Sequence, residues 1–142
     1  MIDAADLALV EAARDAIRRC YCAGRHVVGA ALRTRNGQIV TGIHLEATVG
    51  RIAVCAEAIA LGTAATAFGE VEIDAIVAVY HPDPSGDDPQ PVVVPPCGMC
   101  RELIADYGPN SYIIVTGPQG DLTRVPIATL LPMKFLHPLS GT

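Results

Sequence analysis

The sequence contains no tryptophan, and Phe68 and Phe135 are its only phenylalanines. Proteins that grip single strands stack successive bases on aromatic platforms, so that class of binding is excluded. No basic run is present and the net charge is −5. Binding to long nucleic acids depends on neutralising phosphates, so it is excluded as well. No apolar stretch approaches the roughly 20 residues that a helix needs to cross a bilayer. The opening residues, Met1-Ile2-Asp3-Ala4-Ala5-Asp6, are acidic where a secretory leader would be basic, which points to a cytoplasmic protein. In that compartment five cysteines read as metal ligands or thiols, not disulfides. Apolar residues, by contrast, are plentiful. At 51% hydrophobic and 18% charged, the 142 residues are not disordered; they suit one domain, 1–142, with a real core.

From Asp3 to Ala23, apolar Leu7, Val10, Ala13, Ile17 and Cys20 recur every three or four residues. This predicts an amphipathic helix capped by Asp3 and stopped by Gly24. Val27 to Leu32 predicts a buried strand. Asn36-Gly37 turns it into a second, Gln38 to His44, making a hairpin. An alanine-rich helix follows from Cys55 to Ala67, and Ile73 to Tyr80 is a β-branched apolar run, hence a buried strand. Residues 81–91 hold four prolines and three aspartates, Asp83, Asp87 and Asp88, and read as a solvated loop. Pro96 starts a helix from Cys97 to Tyr107, ended by Gly108-Pro109. Tyr112 to Thr116 and Leu122 to Val125 are further strands. The order α-β-β-α-β-α-β-β predicts an α/β fold with a mixed five-stranded sheet, part antiparallel and part parallel, flanked by helices.

Two motifs carry chemistry. Cys55-Ala56-Glu57 opens the second helix, and Pro96-Cys97-Gly98-Met99-Cys100 opens the third. Cys97 and Cys100, three apart on a first helical turn, point the same way and can grip one metal ion. Cys55 adds a third thiolate and leaves a tetrahedral position for water, the arrangement of a catalytic zinc site. Glu57, two residues after Cys55, is placed to shuttle that water's proton. Both motifs sit at helix N-termini, whose positive ends offset thiolate charge. A purely structural zinc site would need a fourth protein ligand, and a redox CxxC would leave Cys55 and Glu57 without a role. Cys20 and Cys22 read as apolar packers of the first helix, and His81 and His137 as surface residues.

With these residues in view, the chain resembles the homotetrameric cytidine deaminase family, which includes the blasticidin S deaminases. Val28-Gly29-Ala30-Ala31-Leu32 is similar to that family's first strand. Gly42-Ile43-His44-Leu45-Glu46 aligns with its ribose-binding Gly-x-Asn-x-Glu-Asn, eleven residues ahead of the ligand cysteine as in the family. Leu131-Pro132-x-x-Phe135 is similar to its C-terminal signature. The resemblance implies the three-layer α-β-α cytidine deaminase-like fold, Zn2+ held by Cys55, Cys97 and Cys100, and Glu57 as proton carrier. It also implies substrate contacts from His44, Glu46, Ala56, His26 and Pro96. Phe135 would reach a neighbouring subunit's site in a homotetramer. The implied reaction is hydrolytic deamination of cytidine or deoxycytidine to the uridine product and ammonia, in pyrimidine salvage. Several residues depart from the family pattern. His44 replaces Asn, Ala47 replaces the following Asn, and His26 replaces Phe. Ala58 replaces the Arg that helps neutralise thiolates, a loss that Arg51 or Arg101 would offset. These departures support the alternative of a blasticidin-S-type or other aminopyrimidine nucleoside deaminase. A noncatalytic zinc-stabilised binding protein would have no use for Glu57.

Overall fold

A computed structural model describes residues 1–70, 72–84 and 90–138. Asp87 and Asp88 of the expected loop lie outside them. Helix α1 spans Ala4–Cys20. Strands β1, Val28–Thr34, and β2, Ile39–Ile43, form the expected antiparallel hairpin. A 3-10 turn, Gly50–Ile52, precedes α2, Ala56–Phe68. Then come β3, Ile73–Tyr80; β4, Val92–Val94; and α3, Gly98–Tyr107. The chain continues through β5, Tyr112–Thr116; β6, Leu122–Pro126; and the short α4, Ile127–Leu130.

The sheet runs β2-β1-β3-β5-β6 and is mixed, with β3 parallel to β5 and the other neighbours antiparallel. It has six strands where the sequence predicted five. The addition is β4, which pairs Val92–Val94 with Tyr80–Ala78. A run of three residues bounded by Pro95-Pro96 is too short to read as a strand. It becomes one because β5 pairs with β3 only at Ala75 and Ile76, leaving the end of that edge open. Strands β4 and β5 therefore share one edge of β3 and diverge around it.

Helices cover both faces. Ala31, Ala75, Val77, Val79 and Ile114 pack against Leu9, Val10, Ala13 and Ile17 of α1. On the opposite face, Ala30, Leu32, Ile76, Ala78 and Ile113 pack against α2, α3 and Ile127 of α4. Two glycines set the depth of this packing. A Cβ at Gly29 would lie 2.7 Å from the Ala13 carbonyl of α1, and one at Gly42 would lie 2.6 Å from Ala60 N and 2.7 Å from the Ala56 carbonyl of α2. Gly42→Ala should therefore push the first turn of α2 off the sheet and cost about 1–3 kcal/mol, as overpacking does. Urea denaturation would measure the cost. Because that turn carries Glu57, turnover should fall further than stability.

The first helix differs from its sequence reading in three ways. It ends at Cys20, since Tyr21 leaves helical geometry. Its buried face is Asp6, Leu9, Val10, Ala13, Ala16 and Ile17, so Leu7 is exposed. Cys20 and Cys22 are also exposed and are not packers. The face is rotated because Asp6 turns inward. Asp6 and Asp3 form a reciprocal capping box (Asp6 N to Asp3 Oδ1 3.0 Å; Asp3 N to Asp6 Oδ2 3.2 Å). The same Asp6 carboxylate accepts from Arg124 Nε at 2.7 Å, the Tyr112 hydroxyl at 2.7 Å and Arg33 Nη2 at 3.1 Å. Arg33 also pairs with Asp74, and Arg124 with Asp3 while lying over the Tyr112 ring. His81, read from sequence as a surface residue, is buried. Its N–H donates to the Val27 carbonyl and its ring stacks on Tyr21 at 4.3 Å. His137 is exposed. No helix among the described residues is long and apolar enough to cross a membrane.

Candidate active site

The two motifs meet where α2 and α3 begin. Cys55 is the N-cap of α2 and Cys97 the N-cap of α3, and neither side chain caps its own helix. Both sulfurs are therefore available. Cys100 follows one turn into α3, fully buried. Cys55 Sγ and Cys97 Sγ are 3.5 Å apart, and the sulfurs of Cys55, Cys97 and Cys100 all lie within 4.8 Å of one another. Sulfurs bound at about 2.3 Å to a tetrahedral centre sit roughly 3.8 Å apart, so the trio fits zinc closely. Among the described residues it is the one such cluster of metal-ligating side chains.

The electrostatics call for a cation. Burial pushes the Cys100 thiol far up, and the adjacent Glu57 carboxylate and other thiols add to it. Burial likewise raises Cys55. Cys97 is also desolvated, but the Cys100 backbone N–H and the two neighbouring thiols outweigh this and leave its pKa lowered. Three sulfurs in such a site become thiolates together only when a divalent ion supplies the missing charge.

Glu57, only 4% exposed, stands on the first turn of α2 with Oε2 3.7 Å from Cys100 Sγ. Burial raises its carboxyl above the ordinary value; its own backbone N–H, the Cys100 thiol and the charge of His44 pull the other way. A cleft of about 140 Å³ leads to these groups, with Val28, Val94 and Pro95 as apolar walls and His44, Ala56 and Glu57 among its lining. A larger groove, about 790 Å³, runs along the far end of α2 beside Leu61, Ala64 and Tyr107 and holds none of the cysteines.

The remaining expected contacts fall into three places. His44 and Ala56 line the cleft. His44 is pinned by its backbone: its N–H donates to the Val28 carbonyl (2.8 Å), and its carbonyl lies 2.9 Å from His26 Nδ1. Its Nε2 is 3.7 Å from Glu46 Oε2, and its buried Nδ1 has no hydrogen-bond partner. His26 and Glu46 thus stand behind and beside His44. Pro96 is buried, and its carbonyl accepts from Arg101 Nε at 2.9 Å. Phe135 is 74% exposed on the C-terminal segment. The cleft walls Val28 and Val94 carried no signal in the sequence beyond being apolar. Arg101 was expected beside the thiolates, but its guanidinium is engaged by the Pro96 and Leu130 carbonyls. Arg51 is exposed on the 3-10 turn.

Residues 4–116 match the family model described as the cytidine and deoxycytidylate deaminase zinc-binding region. The chain belongs to this deaminase family. It is 46% identical to a blasticidin-S deaminase of Bacillus cereus over 92% of the chain and 91% of that protein. A cytidine deaminase of Halalkalibacterium halodurans is 34% identical over 78% of each chain. Among solved structures, the cytidine deaminase of Burkholderia pseudomallei superposes with a TM-score of 0.73 at 31% identity, covering 91% of this chain and 98% of that one.

As a member of the deaminase family the chain is a hydrolytic enzyme with zinc as its metal, and Cys55, Cys97 and Cys100 are positioned to bind a metal ion. Removing that metal from the deaminase should be visible in its thiols. With zinc in place, Ellman's reagent should reach Cys20 and Cys22, both exposed and outside the cluster. After chelation Cys55 and Cys97 should react too, with buried Cys100 last. An unchanged thiol count would rule out the cluster as the metal's seat.

Proposed function

We propose that this enzyme replaces the 4-amino group of a cytosine-ring nucleoside by oxygen. The observation that carries the proposal is the placement of Glu57. It is a buried carboxylate 3.7 Å from a thiol of the metal cluster, lining a small cleft whose other walls include apolar Val28, Val94 and Pro95. Zinc, when bound, supplies Lewis-acid activation of water. Glu57 takes a proton from that water and delivers it to ring N3 as oxygen adds to C4. It then carries the second proton to the exocyclic amine, so the C4–N bond breaks and ammonia leaves. Burial raises the Glu57 carboxyl above its ordinary value and so favours the protonated form that donates. Ala56 and the backbone before Cys97 hold the base edge, and His44 with Glu46 faces the substituent on the ring.

Cytidine and deoxycytidine are the first substrates in this reading. The higher identity to the Bacillus cereus blasticidin-S deaminase favours a second, in which the ring bears that antibiotic's substituent. Ultraviolet-monitored deamination of cytidine, deoxycytidine, cytosine and blasticidin S by zinc-assayed protein separates the two. Turnover of either nucleoside establishes the first reading, and turnover of blasticidin S alone establishes the second. Activity on none of the four overturns both.

The same proposal takes residues 1–142 as one domain assembled into a homotetramer whose subunits share active sites through Phe135. Exposed apolar side chains on the 3-10 turn, α3 and the C-terminal segment (Ile52, Met99, Met133, Phe135 and Leu136) support it. Five free cysteines suit a reducing cytoplasm, where a nucleoside deaminase would act in pyrimidine salvage.

A further inference from the structure

We propose that Arg101 is a positioning residue that makes the metal-binding loop and the C-terminal arm one mechanical unit. Its Nε donates to the Pro96 carbonyl at 2.9 Å and its Nη1 to the Leu130 carbonyl at 3.0 Å. Pro96 immediately precedes Cys97, and Leu130 is the last residue of α4. Neither Pro95 nor Pro96 has a backbone N–H, so this loop cannot fix itself through its own donors at those positions. The Leu130 carbonyl ends a helix and has no partner within it. One planar fork meets both needs, and a point charge would not.

Beyond Leu130 the arm returns to the same helix. Lys134 Nζ pairs with Glu102 at 2.6 Å and Asp106 at 3.1 Å, both on α3. Met133 between these ties has φ 54, a left-handed conformation that a non-glycine residue keeps only when its surroundings hold it. Met133, Phe135 and Leu136 are left facing solvent. Helix α3 thus bears one thiol at its N-cap, a second on its first turn and the arm along its length, with Arg101 joining them. Drawing Cys97 and Cys100 onto one ion therefore also sets the Pro96 carbonyl and, through Arg101, the root of the arm. Coupling of this kind is reciprocal: freeing the arm weakens the metal, and removing the metal frees the arm. The inference rests on the thiols as zinc ligands and is independent of which nucleoside is deaminated.

The test compares the full-length zinc-loaded parent with Arg101→Ala and Arg101→Lys. Arg101→Ala should bind zinc about 10- to 100-fold more weakly in chelator competition, the usual effect of removing an outer-shell support. It should also shift the thiolate-to-metal band of the cobalt-substituted protein. Arg101→Lys keeps the charge without the fork and should fall between. Trypsin should cut after Lys134 slowly in the zinc-loaded parent and faster once zinc is chelated, with cleavage elsewhere unchanged. In Arg101→Ala it should cut fast with or without zinc. Parental zinc affinity together with a parental cobalt spectrum in Arg101→Ala would overturn the proposal. So would metal-independent cleavage in the parent. If the alanine variant does not fold, Lys134→Met reports the coupling from the other end: weaker zinc binding supports it and unchanged binding overturns it. A parent that takes up cobalt without any thiolate band would instead refute the metal assignment itself.

Discussion

Replacing Glu57 by glutamine should lower kcat by about 100- to 10,000-fold, the range ascribed to one positioned proton-transfer group. Glutamine keeps the length and shape of the side chain, so the packing on the first turn of α2 is preserved. It has no carboxylate oxygen to accept a proton, so water can be neither deprotonated nor the amine protonated. Zinc content should stay at the parental level, because all three thiols remain. Stability should not fall, because burial already disfavours the charged form of Glu57; the neutral amide meets the same surroundings without that penalty. The measurement is single-turnover deamination alongside zinc analysis and thermal melting on one preparation. Parental turnover in the variant would move the proton carrier elsewhere, and His44, also lining the cleft, would be the group to examine next.

Asp6→Ala should be the most destabilising single change away from the active site. Asp6 is completely buried and holds Arg33, Arg124 and Tyr112, which reach it from β1, β6 and β5. Removing one member of a buried charged network strands the others, and costs of about 3–5 kcal/mol are typical. For a chain of this size each kcal/mol is worth roughly 2–4 °C or somewhat more, so the melting temperature should drop by about 10 °C or more. The effect has a pH signature. Desolvation opposes the Asp6 carboxylate, but hydrogen bonds from Arg124, Tyr112 and Arg33 prevail and lower its folded pKa below the ordinary 3.8. A group with a depressed folded pKa contributes stability above its unfolded value and loses it as pH falls through the folded one. The parent should therefore keep this contribution at neutral pH and lose it in acid below about pH 4. The difference in denaturation free energy between parent and Asp6→Ala should narrow over the same interval. A constant difference from pH 7 down to acid would refute the network's ionic character.

The parts of this fold legible in the sequence are those determined by local chemistry. Ile73–Tyr80 and Tyr112–Thr116 appear where their β-branched runs place them. The turn at Gly37, with φ 87, joins the hairpin as Asn36-Gly37 demands. The metal cluster was legible because cysteine chemistry is specific and both motifs open helices. What escaped depends on partners distant in sequence. Asp6 looks like a polar residue beside an apolar stripe, and only Arg124, 118 positions away, turns it inward and rotates the face of α1. Strand β4 needs the unpaired end of β3, which no window around Val92–Val94 contains. Arg101 follows the second cysteine of its motif directly, so proximity suggested the thiolates. Its guanidinium instead reaches the Pro96 carbonyl and, 29 positions away, that of Leu130.

The shared edge of β3 also bears on how such enzymes diversify. Tyr80 and Val92 are direct partners across the β3–β4 pair, so residues 81–91 leave and rejoin the sheet at a single rung. The return is further clasped to α1 by Arg14, which donates to the Pro91 carbonyl at 2.9 Å. Such a closed stem uncouples the number of residues in the excursion from everything beneath it: doubling that number costs only about 0.6 kcal/mol in closure entropy. Pro95, three residues beyond the rung, already lines the cleft. The length of residues 81–91 can therefore change by insertion or deletion while the thiols, Glu57 and the core stay in register.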